Sequence, residues 1–367
     1  MSTPRKPKVL VAMSGGVDST VAAALLNEQG YGVTGATLKL VAGAADAVEQ
    51  ARRAADQLGI EHRVFDCTDR FERDVVSHFI REYQAGRTPN PCVRCNRAIK
   101  FGALLAFATE AGAEFLATGH YARRLPREER IALRRAAHGA KDQSYALAAL
   151  SQDQLAHALF PLGELSKDEV RECARGLGLH AADTPESQDI CFIPDNDYRH
   201  FLAQRIGPSA PGPILSTSGQ ALGSHHGLTC YTVGQRKGLG VAAPEPYYVI
   251  RLDIDRNALI VGHEKETYCT ELIARDVQWC SMAPRTKAFA CLAQIRYHHT
   301  PAAATAIPGS DGLTVRFDAP QRSVTPGQWV VLYDEQDYAL AAGIINTFEK
   351  NQNIEESNHL LPVLDTR

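Results

Sequence analysis

Three short stretches of this chain carry residue types that can do chemistry. The first, Ser14-Gly15-Gly16-Val17-Asp18-Ser19, separates an apolar run from an alanine-rich helical pattern. A glycine-rich turn between strand and helix gathers backbone N–H groups at the positive end of the helix, and that geometry attracts phosphate. Gly15 and Gly16 permit close backbone approach, while Ser14 and Ser19 add hydroxyl donors. No Lys-Ser or Lys-Thr follows the second glycine, so this is not a Walker loop. Asp18 cannot cradle an anion and suits either Mg²⁺ or orientation of the loop.

The second stretch, residues 86–101, reads GRTPNPCVRCNRAIKF. Its two prolines fix a rigid loop, and Asn96 is expected to cap a helix that carries Arg97 and Lys100. That cap would place Cys95 at a helix N-terminus among arginines, a setting that lowers a thiol's pKa. The third stretch, SQDICFIP at 187–194, places Cys191 between Ile190 and Phe192. Core filling and a reactive role both fit a cysteine there. Cys92-x-x-Cys95 together with Cys191 makes a three-cysteine set that could hold an iron–sulfur cluster or zinc. The other six cysteines show no ligand spacing.

These residues need elements to position them. At 367 residues the chain suggests two or three domains. From 8 to about 118, apolar strands (8–13, 32–40, 62–66, 114–117) alternate with helical patterns (18–29, 45–59, 69–84, 97–111). That alternation predicts an α/β fold with a doubly wound parallel sheet. Ser166 and Glu169 have capping-box spacing and open a helix over 166–178. After 206 the chain turns to Gly, Pro and Ser, then to short alternating runs such as QWVVLYD, which predict antiparallel structure. We therefore expect a catalytic domain over 1–205, a small β-rich connector over 206–275 and a C-terminal β-barrel over 276–367.

The net charge of −3 excludes a globally basic nucleic-acid binder, so a polyanion site must be a local patch. Arg123, Arg124, Arg127, Arg130, Arg134, Arg135 and Lys141 form the most basic stretch, readable as such a patch or as solvated faces. Nine cysteines without a signal-like or membrane-spanning run point to a reducing, cytoplasmic setting with no membrane.

Ser14 to Ser19 resembles the phosphate loop of the N-type ATP pyrophosphatases, which adenylate a substrate and release pyrophosphate. That class includes lysidine and GMP synthetases. Further stretches narrow the resemblance: Thr88-Pro-Asn-Pro91, Cys95-Asn96, Ile99-Lys-Phe101, Thr118-Gly-His-Tyr121, Lys141-Asp-Gln-Ser-Tyr145, Phe160-Pro-Leu-Gly-Glu164, Ile190-Cys-Phe-Ile193 and Gly234-Gln-Arg-Lys-Gly-Leu-Gly240. In this order they resemble the bacterial tRNA-specific 2-thiouridylases, from residue 8 to beyond 340.

The resemblance implies a sulfurtransferase that uses ATP and Mg²⁺ to replace the 2-oxygen of the wobble uridine of tRNA by sulfur. It implies that Ala12, Met13, Ser14, Gly15, Gly16, Val17, Asp18, Ser19, Leu38 and Gly119 line the ATP. Cys191 would carry a persulfide from a cysteine desulfurase or sulfur-relay protein, and Cys95 would resolve it through a transient Cys95–Cys191 disulfide. Asn90, Pro91 and Cys92 would lie near the target base. Lys141, Asp142, Gln143, Arg296 and Tyr297 would touch tRNA, the expected set being the tRNAs for lysine, glutamate and glutamine. Cys92 departs from the family, which more commonly has Asp there. His120 is read either as a nucleotide neighbour or as a hydrogen-bonded structural histidine. The rival readings are another ATP pyrophosphatase, which needs no distant cysteine pair, and a tRNA-binding or sulfur-carrier protein without turnover.

Overall fold

The computed structural model describes residues 6–350, apart from 42, 44, 181–189 and 194. Ser187, Gln188, Asp189 and Pro194 of the third stretch therefore lie outside the described residues.

The first sheet is built from β1 (Lys8–Ala12), β2 (Gly32–Lys39), β3 (Glu61–Asp66) and β4 (Phe115–Thr118). A two-stranded hairpin, β5 (Ala122–Arg127) with β6 (Arg130–Arg135), precedes the short β7 (Ala158–Leu159). The sheet is parallel, in the order β3-β2-β1-β4-β7. β1 is central, and its residues Val9, Leu10 and Val11 are buried, as both faces are covered. β3 is one of the two edge strands, and its Glu61, Arg63 and Asp66 suit a strand with one unpaired side. The two helices after β1 and β2, α1 (Val17–Glu28) and α2 (Ala45–Leu58), bury alanines against the sheet. Two helical runs, 68–84 and 91–110, contain wide π-helical segments, Glu72–Val76 and Asn96–Leu104.

β8 (Gly212–Ser216), β9 (Ala221–His225), β10 (Tyr248–Asp253) and β11 (Ala258–Gly262) form a separate sheet in the order β10-β11-β8-β9. A closed barrel follows, made of β12 (Tyr268–Trp279), β13 (Phe289–Gln294), β14 (Ala302–Gly309), β15 (Gly312–Arg322), β16 (Trp329–Tyr333) and β17 (Ala339–Lys350). Small and branched residues such as Leu272, Ala293, Ala306, Val315 and Leu332 fill its interior. The strand that opens the barrel spans residue 276.

The basic stretch at 123–135 is an interdomain clamp, which corrects its reading as a free patch. Arg127 pairs with Asp334 at 2.8 Å, while Arg124 donates within the first domain, to the carbonyls of Leu155 and Ala156. Arg134 donates to Gln336 O, and Arg135 donates to Gln294 Oε1 at 2.6 Å while its guanidinium covers the Tyr333 ring. The seam beneath them is apolar, with Phe101, Leu104, Tyr145 and Leu147 sharing one core with Cys280, Trp329, Val331 and Tyr333.

Candidate active site

Sheet order places the site. β2 and β3 lie on one side of β1 and β4 and β7 on the other, so the loops after β1 and β4 diverge and open a crevice at the strands' carboxyl ends. The Ser14–Ser19 loop borders it. Half-buried Ala12 ends β1, and Met13 is pinned by its N–H to Ala36 O and by Thr37 Oγ1 donating to Met13 O. Gly15 has φ +78°, and a Cβ there would lie 2.6 Å from Gln50 Cβ, so both backbone and space require glycine. Gly16 is the N-cap of α1, Val17 is buried, and the Ser14 N–H donates to Ser19 Oγ at 3.2 Å.

Gly119, just after β4, presses on this loop. A Cβ there would stand 2.7 Å from Ser19 N and from Asp18 C. Asp18 is the junction of three elements. Its Oδ1 accepts from Tyr121 Oη at 2.6 Å and from Lys167 Nζ at 2.6 Å. Lys167 is largely buried at the first position of the helix Lys167–Gly176, whose start is set by the Ser166–Glu169 capping box. Leu38, near the end of β2, packs both against the core under the sheet and against the apolar cluster that holds Cys95.

The thiol side is held by Thr88. Its N–H donates to Pro326 O and its carbonyl accepts from Gln328 Nε2, both from the barrel, while its hydroxyl donates to Thr232 Oγ1 beside the middle sheet. From this anchor the helix Pro91–Cys95 starts, with Pro91 in its first turn and Asn90 as its cap. Asn90 Oδ1 accepts from Cys92 N at 3.1 Å and Val93 N at 3.3 Å. The expected cap at Asn96 is thereby corrected, since Asn96 lies inside the helical run and donates to Ala146 O.

Cys95 consequently is not at a helix N-terminus. It is buried with Phe79, Ile99, Phe192 and Ile193, and burial pushes its thiol up to about 12, with Lys100 acting in the opposite sense. The expected lowering fails for a second reason, because the nearby arginines are engaged elsewhere. Arg87 pairs with Glu82, Arg94 donates to Asp74 O, and Arg97 pairs with Asp276.

Cys191 is exposed, next to buried Phe192 and Ile193 that belong to the same cluster as Cys95. Desolvation in the cleft raises the pKa of exposed Cys92 and of Cys191; Cys92 raises Cys191 further, and Lys100 lowers both. The structure thus brings Cys92, Cys95, Cys191 and Lys100 into one neighbourhood, all three thiols free. Among the described residues, no group of three or more His, Cys, Asp or Glu is arranged to hold a metal ion.

The remaining sequence-derived positions form a second group. Lys141 ends the short turn Gly139–Lys141. Asp142 turns inward, accepting from Ala136 N, Ser144 N and Ser144 Oγ, and Gln143 Oε1 accepts from Tyr121 N. Arg296 and Tyr297 follow β13, with their carbonyls both accepting from Gln294 Nε2. Arg135 links the two sets, touching Gln294 and approaching Asp142 at 4.0 Å. Tyr297 is 37% exposed. His120 is half-buried, paired with Thr118 Oγ1 at 2.7 Å, and desolvation of its ring, with Lys100 nearby, holds its pKa well below the usual value.

Sequence reasoning left Lys100, Tyr121 and Lys167 without site roles, although each belongs to a quoted stretch or follows the capping box. Distant pairing such as Lys167 with Asp18 leaves no local periodicity to read.

Family models match almost the whole described chain. A tRNA methyl transferase HUP domain matches residues 7–195, a tRNA methyl transferase PRC-barrel domain 199–263, and an aminomethyltransferase beta-barrel domain 269–345. The chain is 47% identical over 365 residues to the tRNA-specific 2-thiouridylase MnmA of Symbiobacterium thermophilum, covering 93% of each chain. It is 48% identical over 358 residues to that of Heliobacterium modesticaldum, covering 93% of this chain and 92% of the relative. Among solved structures, the U34-tRNA thiolase NcsA from Methanococcus maripaludis with its [4Fe-4S] cluster aligns at 22% identity and a TM-score of 0.34, over 55% of this chain and 68% of that one, a likeness too slight to bear on the site. Identity of this extent, end to end and over all three domain models, settles the family: the chain belongs to the tRNA-specific 2-thiouridylases.

Proposed function

We propose that this protein is a tRNA-uridine 2-sulfurtransferase that thiolates the wobble uridine of tRNA at the expense of ATP. The observation that carries the reading is that two thiols remote in sequence, Cys95 and Cys191, meet in one neighbourhood, in a chain whose glycine-rich loop follows the central strand at a sheet switch point.

The chemistry follows from what each part offers. A urea-like carbonyl is a poor electrophile with a poor leaving group. Transfer of AMP to its oxygen, with loss of pyrophosphate, makes that oxygen a good one. Backbone N–H groups of Ser14–Ser19 suit the phosphates, and Gly119 keeps the crevice narrow. Magnesium accompanies the triphosphate. The bonds of Asp18 to Tyr121 and Lys167 support its role in orienting the loop.

In this reading Cys191 receives a persulfide sulfur from a cysteine desulfurase or relay protein, a role its exposure supports. The terminal sulfur attacks the activated carbon and AMP leaves. Cys95 then attacks the inner sulfur, the sulfur–sulfur bond of the persulfide breaks, and a Cys95–Cys191 disulfide forms as 2-thiouridine is released. Lys100 is the cation that favours the Cys95 thiolate at that moment. Asn90, Pro91 and Cys92 face the base in this reading, and Lys141, Arg296 and Tyr297 hold the tRNA, with Tyr297 offering a ring for stacking. The inward hydrogen bonds of Asp142 and Gln143 support a role in shaping that surface. The catalytic domain is taken as 1–205, and the expected boundary between connector and barrel at 275/276 moves ahead of β12 (Tyr268–Trp279), the barrel's first strand, with the tRNAs for lysine, glutamate and glutamine as substrates in the cytoplasm. Among the described residues no helix is long and apolar enough to cross a membrane.

The test is mass spectrometry of tRNA nucleosides after incubation with ATP, Mg²⁺ and a persulfide source. The expected product is wobble uridine heavier by the difference between sulfur and oxygen. Turnover that survives Cys191→Ser would favour another ATP pyrophosphatase chemistry.

A further inference from the structure

We propose that Cys92 is a third thiol of the catalytic cycle, which opens the Cys95–Cys191 disulfide left after each sulfur transfer and frees Cys191 for reloading. This inference rests on the function proposed above.

Position is the first argument. Cys92 and Cys95 are one turn apart in the helix Pro91–Cys95, an i,i+3 pair whose side chains share a face. Cβ atoms so spaced are about 5–6 Å apart, and a disulfide needs about 3.5–4.5 Å. The required tightening falls on a short helix that passes at Asn96 into a wide π-helical segment, where the regular hydrogen-bond ladder is already broken.

Exposure is the second argument. Cys95 is buried at 8%, whereas Cys92 and Cys191 are exposed. A disulfide ending on Cys95 therefore has one sulfur that a solution reductant reaches poorly. An intramolecular thiol one turn away meets that sulfur at an effective concentration no external thiol attains. Cys92 also lies near enough to Cys191 to push that thiol's pKa up.

The exchange balances without added electrons. The Cys92 thiolate attacks Cys95 Sγ, the Cys95–Cys191 bond breaks, and Cys191 leaves as a thiolate that takes up the proton Cys92 has lost. Cys191 can then accept the next persulfide. An external dithiol subsequently attacks Cys92, the exposed sulfur of the new Cys92–Cys95 disulfide, and is itself oxidised as both thiols are restored.

The test is a single turnover of the full-length protein, preloaded with persulfide and given ATP, Mg²⁺ and tRNA without reductant, then quenched in acid, alkylated and mapped by peptide mass spectrometry. Disulfide content is counted per mole of 2-thiouridine formed. Wild type should hold a Cys92–Cys95 disulfide and an alkylated Cys191. Cys92→Ser should instead trap Cys95–Cys191, and its steady-state rate with a dithiol reductant should fall about tenfold or more relative to its own first turnover. Wild type that traps Cys95–Cys191 with Cys92 alkylated overturns this inference while leaving the thiolation reading intact. Wild type that forms no 2-thiouridine overturns both.

Discussion

Lys167 Nζ stands 2.6 Å from Asp18 Oδ1, and the lysine side chain is only 10% exposed. This ion pair, shared with the hydroxyl of Tyr121, locks the start of α1 to the loop after β4 and to the helix Lys167–Gly176. The phosphate loop therefore owes its shape to a residue 149 positions away in sequence.

Removing that lysine leaves a half-buried carboxylate without its cation. Lys167→Met should cost about 1–3 kcal/mol of stability, less than for a fully buried pair because Asp18 keeps some water. It should also raise the KM for ATP more than that for tRNA. Denaturant midpoints and the two KM values check this, and wild-type values for both would contradict it.

Gly119 offers a sharper probe of the crevice. Gly119→Ala would set a methyl 2.7 Å from the backbone of Asp18 and Ser19. Backbone cannot yield as a side-chain tip does, so the loop must shift, at a cost of about 1–3 kcal/mol. ATP affinity by calorimetry should fall about tenfold while the thiols and barrel remain as they are. Undiminished affinity would place the nucleotide elsewhere.

Much of this architecture was legible in the sequence because its signals are local. The β1–loop–α1 unit, the parallel sheet, the Ser166 capping box and the turn before β16 each declare themselves within a few residues. What was not legible depends on distant partners. Asn96 looked like a cap, yet Asn90 takes that role because Pro91 already starts the helix. Cys95 looked activated, yet its arginines are spent on Glu82, Asp74 and Asp276. The basic run at 123–135 could be read as a polyanion patch or as solvated faces, and only the fold reveals the barrel carbonyls and carboxylates that occupy it.

That clamp predicts coupled unfolding. Arg135 donates to Gln294 and covers Tyr333 at 4.1 Å, so Arg135→Ala should remove about 2–4 kcal/mol from the seam between the first domain and the barrel. Calorimetry should show one transition for the wild type and a split or broadened one for the variant. A single unshifted transition would mean that the apolar seam alone couples the two.

Buried thiols fix the alkaline behaviour. Cys95, Cys269, Cys280 and Cys291 are each pushed up to about 12 by burial. In the unfolded chain these thiols ionise near 8.5, so above that pH the unfolded state binds fewer protons than the native one. Their stabilising contribution is complete below about pH 8.5 and is lost as pH rises toward 12, by about 1.4 kcal/mol per pH unit for each thiol. Denaturant midpoints between pH 8 and 10.5 should fall accordingly, and Cys280→Ala should reduce the slope. A flat profile would show that these thiols are not desolvated.

Lys100 provides the last prediction. It lowers the pKa of Cys92, Cys95 and Cys191 alike, and it also disfavours protonation of His120. A cation favours the thiolate, so Lys100→Met should raise all three thiol pKa values and move thiolate chemistry to higher pH. Cys191 is exposed, so its alkylation rate reports this directly in the free protein, without ATP or tRNA. The rate–pH profile of Cys191 should shift upward in Lys100→Met and return toward wild type in Lys100→Arg, which restores charge but not shape. Sulfur transfer should follow the same shift, because the Cys95 attack depends on the same ammonium. An alkylation profile indifferent to Lys100 would remove the electrostatic link between the helix at 91–104 and the turn at Cys191, and with it the assignment of Lys100 as the cation that prepares Cys95.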